Sequence, residues 1–345
     1  MRRVTASLVG SALLTVLALA GCPGGAKPPG LPGTGGGGKA SSVDPDTCGN
    51  YAANEAGAKL KAFLEATVTL NEAVIEMEGE IKASCSGMAE KLGVSTDGDT
   101  KAVCNAVSEA IEANLAAGIK GKAALRIDYQ PAVCTVNADV AVDAAAKCEA
   151  SASADVKVRC TGTCSGTCQG ACKGKCEGQA GGGGGKGECN GRCEGSCQGS
   201  CSGGCEGSAD VQASAECEAK AEVSANVEAE CTEPELTVEY DAKVVVDKPK
   251  VEAVAEALKS GLPKMLSISA KLRGPTALAV TTWGKTAKNL AQASGKLYSS
   301  LGDQATCVAG QLAAAASMVT KVEASVSVSV EASASVSGAA GASGG

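Results

Sequence analysis

The residues in this chain whose type and spacing could do chemistry are its cysteines, 19 among 345 residues, in a sequence with one Phe, one Trp, four Tyr and no His. Without imidazole, His-based nucleophilic triads, His metal sites and histidine pH switches are excluded. No Ser or Cys nucleophile motif, phosphate loop or metal-ligand signature stands out, so the sequence reads as non-enzymatic, with no catalytic residue, no resident cofactor and no metal expected. Gly181 to Gly185 followed by Lys186 lacks the spacing and the strand-to-helix setting of a phosphate loop, and reads as a hairpin turn. Two fates remain for the thiols, oxidation to disulfides or ligation of a soft metal as thiolates.

Spacing chooses between them. Fourteen cysteines form a mirror: Cys134 with Cys231, Cys148 with Cys217, Cys160 with Cys205, Cys164 with Cys201, Cys168 with Cys197, Cys172 with Cys193, and Cys176 with Cys189, the two residue numbers of every pair totalling 365. A constant sum is the register of an antiparallel ladder, in which opposed residues face one another at Cα separations of about 4.5 to 5.5 Å, within the span of a disulfide. The inner C-x-G-x-C runs mirror themselves automatically, but the outer intervals of 14 and 12 residues, then 12 and 14, carry independent weight. The glycines Gly162 with Gly203 through Gly178 with Gly187, and Pro131 with Pro234, obey the same sum. The rival thiolate reading resembles the metallothioneins in cysteine number only. Their C-x-C and C-x-x-C clusters wrap a metal, whereas four-residue spacing lines the thiols up in one row.

The elements that must hold this ladder follow from the alternation around it. Val136, Ala138, Val140, Val142, Ala144 and Ala146 alternate with polar residues, as do Ala209 to Ala229 on the return arm, which predicts two strands with their apolar rows on the cysteine face. Beyond the opposed prolines Leu125, Ile127 and Tyr129 face Tyr240, Val238 and Leu236. The expected result is one antiparallel hairpin with arms of about fifty residues, on the order of 150 Å if straight at ~3.3 Å per residue. Asp155 opposite Asp210, Glu149 opposite Glu216 and Asp143 opposite Glu222 count against that register, because like charges destabilise a ladder. Such carboxylate pairs invite Ca²⁺, but no ligand loop accompanies them.

Upstream, Ala53, Ala56, Leu60, Phe63, Thr67, Leu70, Val74, Met77 and Ile81 recur at helical steps, and a second helix is predicted over 100–117. After the hairpin, helices are predicted over 251–259, 276–301 and 303–322, with Trp283 in a core or interface. Both flanks should close into one bundle, giving an α+β fold with an inserted, very long disulfide-laddered hairpin. Cys48, Cys85, Cys104 and Cys307 fall in or beside the bundle, and three pairings among them are open. From Val322 to Val336 small apolar residues alternate with Ser and Glu, which predicts a third strand that pairs with the hairpin or with a second copy.

At the N-terminus Arg2 and Arg3 precede an apolar run from Leu8 to Ala20 that ends in Leu19-Ala20-Gly21-Cys22. These four residues resemble the lipobox of bacterial lipoproteins. The resemblance implies cleavage before Cys22, diacylglycerol on its sulfur and an acylated amine such as palmitate supplies, and Pro23 in place of Asp implies outer-membrane sorting. The expected organisation is a signal peptide over 1–21, a Gly/Pro tether over 22–47, bundle over 48–122 and 243–321, hairpin over 123–242, and the alternating strand and tail over 322–345. A net charge of −7 argues against nucleic-acid binding. The expected partners are the membrane, through the lipid, and a second copy, through strand edges or the Ala/Val face; no small-molecule ligand is expected. The function expected is a structural, adhesive or self-assembling lipoprotein of the cell envelope. The alternatives are a thiolate metal-binding lipoprotein, and a pore-forming hairpin or secretion component, the latter opposed by an apolar face without aromatic girdles.

Overall fold

The longest apolar stripe in the sequence becomes the central helix. In the computed structural model, which describes residues 42–119, 125–149, 157–160, 163–164, 167–181, 188–206, 209–240, 243, 245–293 and 300–341, helix α1 runs Glu55–Leu92. The Asn54 side chain accepts a hydrogen bond from the Gly57 amide, and Gly93 ends the helix at φ 70°, a left-handed conformation that glycine adopts without steric cost. Leu60, Phe63, Thr67, Leu70, Val74, Met77 and Ile81 are all buried along it. The signal segment, Cys22 and the tether as far as residue 41 lie outside the described residues.

Helix α2 (Thr100–Gly118), capped by Asp99, returns along α1. The second flank supplies α5 (Lys248–Arg273), capped by Asp247, and α6 (Pro275–Gln292). It ends in α7 (Ala305–Ala339). One core joins them, with Trp283 at its centre. The indole Nε1 donates to Thr67 Oγ1 at 2.8 Å, and that hydroxyl donates onward to the Phe63 carbonyl at 3.0 Å.

Three stretches predicted as strands are helices. Residues 138–149 form α3 (Ala138–Glu149) and 215–227 form α4 (Ala215–Val227). The alternating tail from Val322 to Val336 continues α7, so no third strand exists there. The physical reason is that alternation of small apolar residues also fits helical stripes. On α4, Ala219 and Val223 face the bundle while Ala221 and Ala225 face α3, so two i, i+4 rows on different sides of the helix read as one period-two row. On α7, Val308, Leu312, Ala315, Val319, Val322, Val326, Ser329, Ser333 and Val336 keep an unbroken four-three rhythm against the bundle. The Ala, Glu and Lys that populate α3 and α4 are helix formers depleted in strands.

The strands keep the mirror outside and shift it inside. Strands β1 (Leu125–Tyr129) and β10 (Leu236–Tyr240) pair in the expected register, with Ile127 opposite Val238, and pack on the bundle. Strands β2 (Cys134–Asn137) and β9 (Glu230–Cys231) pair with Cys134 opposite Cys231. Beyond α3 and α4 the ladder continues as β3 (Lys157–Cys160) with β8 (Ala209–Gln212), β4 (Thr163–Cys164) with β7 (Gly204–Glu206), and β5 (Thr167–Gly181) with β6 (Glu188–Ser202). Here Cys164 is opposite Cys205, Cys168 opposite Cys201 and Cys172 opposite Cys197, a shift of four residues from the predicted register. Strand β7 also pairs along its other edge with β2, making a four-stranded sheet in the order β4-β7-β2-β9.

Candidate functional site

The cysteine ladder is the part of the chain with the most unusual chemistry, and its backbone is not a flat hairpin. Residues 167–171 hydrogen-bond to 198–202 along one edge and to 188–192 along the other, while 188–192 also pairs with 177–181. The two-stranded ribbon therefore coils until its own edges meet, one turn for about every ten residues of each strand. Ribbons twist in one hand by backbone sterics, and coiling this tight needs an inner face of little volume. The Cys–Gly alternation of the C-x-G-x-C repeat provides one.

Sulfur fills the interior. Cys160, Cys164, Cys168, Cys193, Cys197, Cys201 and Cys205 are buried together as a core separate from the helical one. Disulfides join Cys160 to Cys205, Cys164 to Cys201 and Cys168 to Cys197, with Cα separations of 5.6, 6.6 and 5.9 Å. These are the partners the mirror predicts, yet in the backbone ladder Cys168 lies opposite Cys201, so the bridges run between residues one repeat out of register. Cys193 is also disulfide-bonded, and the side chains of Cys172, Cys176 and Cys189 lie outside the described residues. At the base, Cys134–Cys231 joins β2 to β9 and Cys148–Cys217 joins α3 to α4. The four described cysteines outside the mirror form Cys48–Cys307 and Cys85–Cys104, one of the three pairings left open.

No protein-family model, curated protein or solved structure matches this chain.

Between the coil and the bundle lies a second core, in which Val136, Ala141, Ala145, Val158, Val211 and Ala221 join α3 and α4 to the first strands. Its rim is charged. Glu149 at the end of α3 accepts from Lys59 Nζ of α1 at 2.7 Å and from the Ser214 amide, just before α4, at 2.6 Å, so one carboxylate ties three helices together. Burial alone would raise its pKa, but the Lys59 ammonium and the Ser214 hydrogen bonds outweigh it and hold the carboxyl at about 2. Lys59 is raised in turn, chiefly by its hydrogen bond to Glu149. Nearby, α1, α3 and α4 border an open cleft of about 560 Å³ whose lining cations Lys61, Lys147 and Lys220 are matched in number by Glu65, Asp143 and Glu228.

On the other side of α4, Asp210 of β8 converges with Glu218 and Glu222, one carboxylate oxygen of each lying within 4.8 Å of the others. Glu222 is 1% exposed, and neither of its oxygens has a hydrogen-bond partner within bonding distance. Burial pushes its pKa up to about 7, opposed next by hydrogen bonding from the Thr282 hydroxyl, then assisted by the Glu218 charge, opposed by the Val211 amide and assisted by the Asp210 charge. Sequence reading passes over this trio because it places Glu222 on a strand opposite Asp143. The signal that could have found it is the i, i+4 spacing of Glu218 and Glu222 on one helical face.

Proposed function

We propose that this chain is a non-catalytic lipoprotein of the bacterial cell envelope, in which a helical bundle carries a rigid, cystine-cored β coil with a structural or adhesive role. The observation that supports this reading is the oxidised interior of the coil. Every cysteine whose side chain is described is in a disulfide. A covalent framework of that density forms and persists in an oxidising compartment. Leu19-Ala20-Gly21-Cys22 at the end of an apolar run supplies the route there and the lipid anchor.

The same observation works against the alternatives. Bridged sulfurs are not thiolates, which removes the ligands a zinc- or copper-binding reading requires. A pore needs strands that face lipid on one side and a lumen on the other, and the described coil is packed with sulfur inside. Edge-to-edge growth of a fibre is disfavoured as well. Residues 167–171 and 188–192 are hydrogen-bonded on both edges, and the tail that would have added a strand is helical. Any partner of the coil then meets its outer face.

The test is non-reducing peptide mapping of protein extracted from bacterial membranes, with free-thiol and metal counts on the same sample, beside a Cys22→Ala variant. The expected result is the bridges above, no thiol-bound metal, and loss of the variant from the membrane fraction. Reduced thiols carrying stoichiometric zinc or copper would overturn the reading, as would a Cys22→Ala variant that stays in the membrane fraction.

A further inference from the structure

We infer that Asp210, Glu218 and Glu222 form a binding site for a hard divalent cation, of which Ca²⁺ fits best. Three observations carry this. The carboxylates come from two elements, β8 and α4, and converge so that one oxygen from each lies within 4.8 Å of the others. Oxygens arranged around one Ca²⁺ at about 2.3 to 2.6 Å cannot be farther apart than about 5 Å, so the spacing suits a shared ion without rearrangement of the backbone. Glu222 is the independent pointer. It is 1% exposed, both of its oxygens lack a hydrogen-bond partner, and one of them is aimed at the other two carboxylates. A carboxylate buried without partners costs several kcal/mol unless something neutralises it, and residues of that kind are normally paired or bound to a metal.

The surrounding charge is consistent with an ion. The cations near the trio are Lys285, which acts on Glu218 from α6, and Arg159, opposite Asp210 in the β3–β8 ladder. Both are exposed, and neither forms a salt bridge with the trio among the described residues. The Thr282 hydroxyl of α6 and the Val211 amide act on Glu222 as hydrogen-bond donors, but neither meets the distance and angle of a full hydrogen bond, so both oxygens stay unsatisfied. Asp210 and Glu218 are half-buried, which leaves room for water to complete the coordination of a large ion. The ligands are all oxygen, His is absent from the chain, and the described cysteines are oxidised, so a soft or borderline metal has nothing to prefer here. Mg²⁺ holds its own waters and needs near-octahedral geometry, which three carboxylates from a helix and a strand do not impose. A three-carboxylate site without a dedicated loop belongs with the weaker extracellular Ca²⁺ modules, with a dissociation constant on the order of 10⁻⁴ M. That suits the compartment proposed above, but the site does not depend on that assignment.

The experiment uses the full chain, treated with chelator and exchanged into buffer at pH 7.5 with constant ionic strength. Thermal unfolding is followed by the fluorescence of Trp283, the only tryptophan, which adjoins Thr282. The expected result is that ~5 mM CaCl₂ raises Tm by about 5 °C, half of that shift being reached at ~0.6 mM, and that MgCl₂ at the same concentration moves it by about 1 °C or less. Glu222→Gln and Asp210→Asn should each abolish the shift while keeping the circular dichroism of the parent. Asp210 is half-buried, so its variant decides the matter even if Glu222→Gln fails to fold. No shift at 10 mM CaCl₂ overturns the inference. So does an equal shift with MgCl₂, or one retained in the variants, either of which assigns the effect to general charge screening.

Discussion

Replacing Glu222 by Gln isolates the electrostatic cost of one buried carboxylate. With cations removed by chelator, the folded protein holds the Glu222 proton up to about pH 7, whereas the ordinary value is 4.5. The folded state therefore binds the proton more tightly than the unfolded state, so the associated stability is fully present below about pH 4.5 and is lost as pH rises through 7. A difference of about 2.5 units corresponds to about 3 kcal/mol. Burial sets it first, modified by the Thr282 hydroxyl, Glu218 on the same helix, the Val211 amide and Asp210 on β8, with Lys285 beside Glu218. Guanidinium unfolding with the disulfides intact, followed by Trp283 fluorescence at pH 5 and pH 8, measures the effect. Between those two values the parent should lose about 2.5 kcal/mol more than Glu222→Gln, and at pH 8 the variant should be the more stable protein. Glu149 titrates far below this window and does not confound it. If parent and variant lose stability in parallel, Glu222 is either solvated or already paired, and the reasoning about its environment is wrong.

Glu149 behaves in the opposite sense. Its carboxyl is held at about 2, so its contribution is present above about pH 4.5 and is lost as pH falls toward 2, and Glu149→Gln should cost about 2 kcal/mol at pH 7 and nothing at pH 2 by denaturant titration. Thr67→Val leaves the buried Trp283 indole N–H without an acceptor, and should cost about 1 to 3 kcal/mol, with a shifted emission maximum as the local signature. Gly261→Ala places a Cβ 2.7 Å from Met88 Cγ and 3.0 Å from the Ser84 carbonyl at the α1–α5 crossing, and a lowered Tm equivalent to about 1 to 3 kcal/mol is expected; an unchanged Tm would mean that the crossing relaxes freely.

How far the sequence could be read depended on which pattern had one solution. The stripe on α1 and the facing rows of β1 and β10 each admit one element type, and the structure has those elements. The constant sum of cysteine positions named partners that the structure bridges at the five pairs whose side chains are described, because disulfide partners depend on proximity and not on ladder register. The register itself was hidden. The repeat is four residues long, so sliding one arm by four carries Cys onto Cys and Gly onto Gly, and flat and coiled ribbons share one sequence pattern. The alternation of Ala and Val with Ser, Asp and Glu had two solutions, a strand face or a pair of helical stripes, and packing on both sides of α4 and along α7 selected the second. The carboxylate trio was out of reach for that reason, since its members converge only when 215–227 is helical.

The Cys48–Cys307 bridge spans 259 residues and encloses almost every element described above. For the lipid-tethered protein proposed above, this makes it a mechanical short circuit. A pull entering before Cys48 and leaving after Cys307 passes through one sulfur–sulfur bond and bypasses the chain between them. That bypassed chain would extend to roughly 900 Å at ~3.5 Å per residue. While the bond is intact, tension cannot unravel the elements between Cys48 and Cys307 from their ends, and only the segments outside it, α7 included, take up extension. Reducing that single bond puts the bundle under load at once, whereas the coil stays shielded by Cys134–Cys231, which closes a 97-residue loop of its own. The chain between Cys48 and Cys307 is thus released stepwise, loop by loop, as successive nested bridges are reduced.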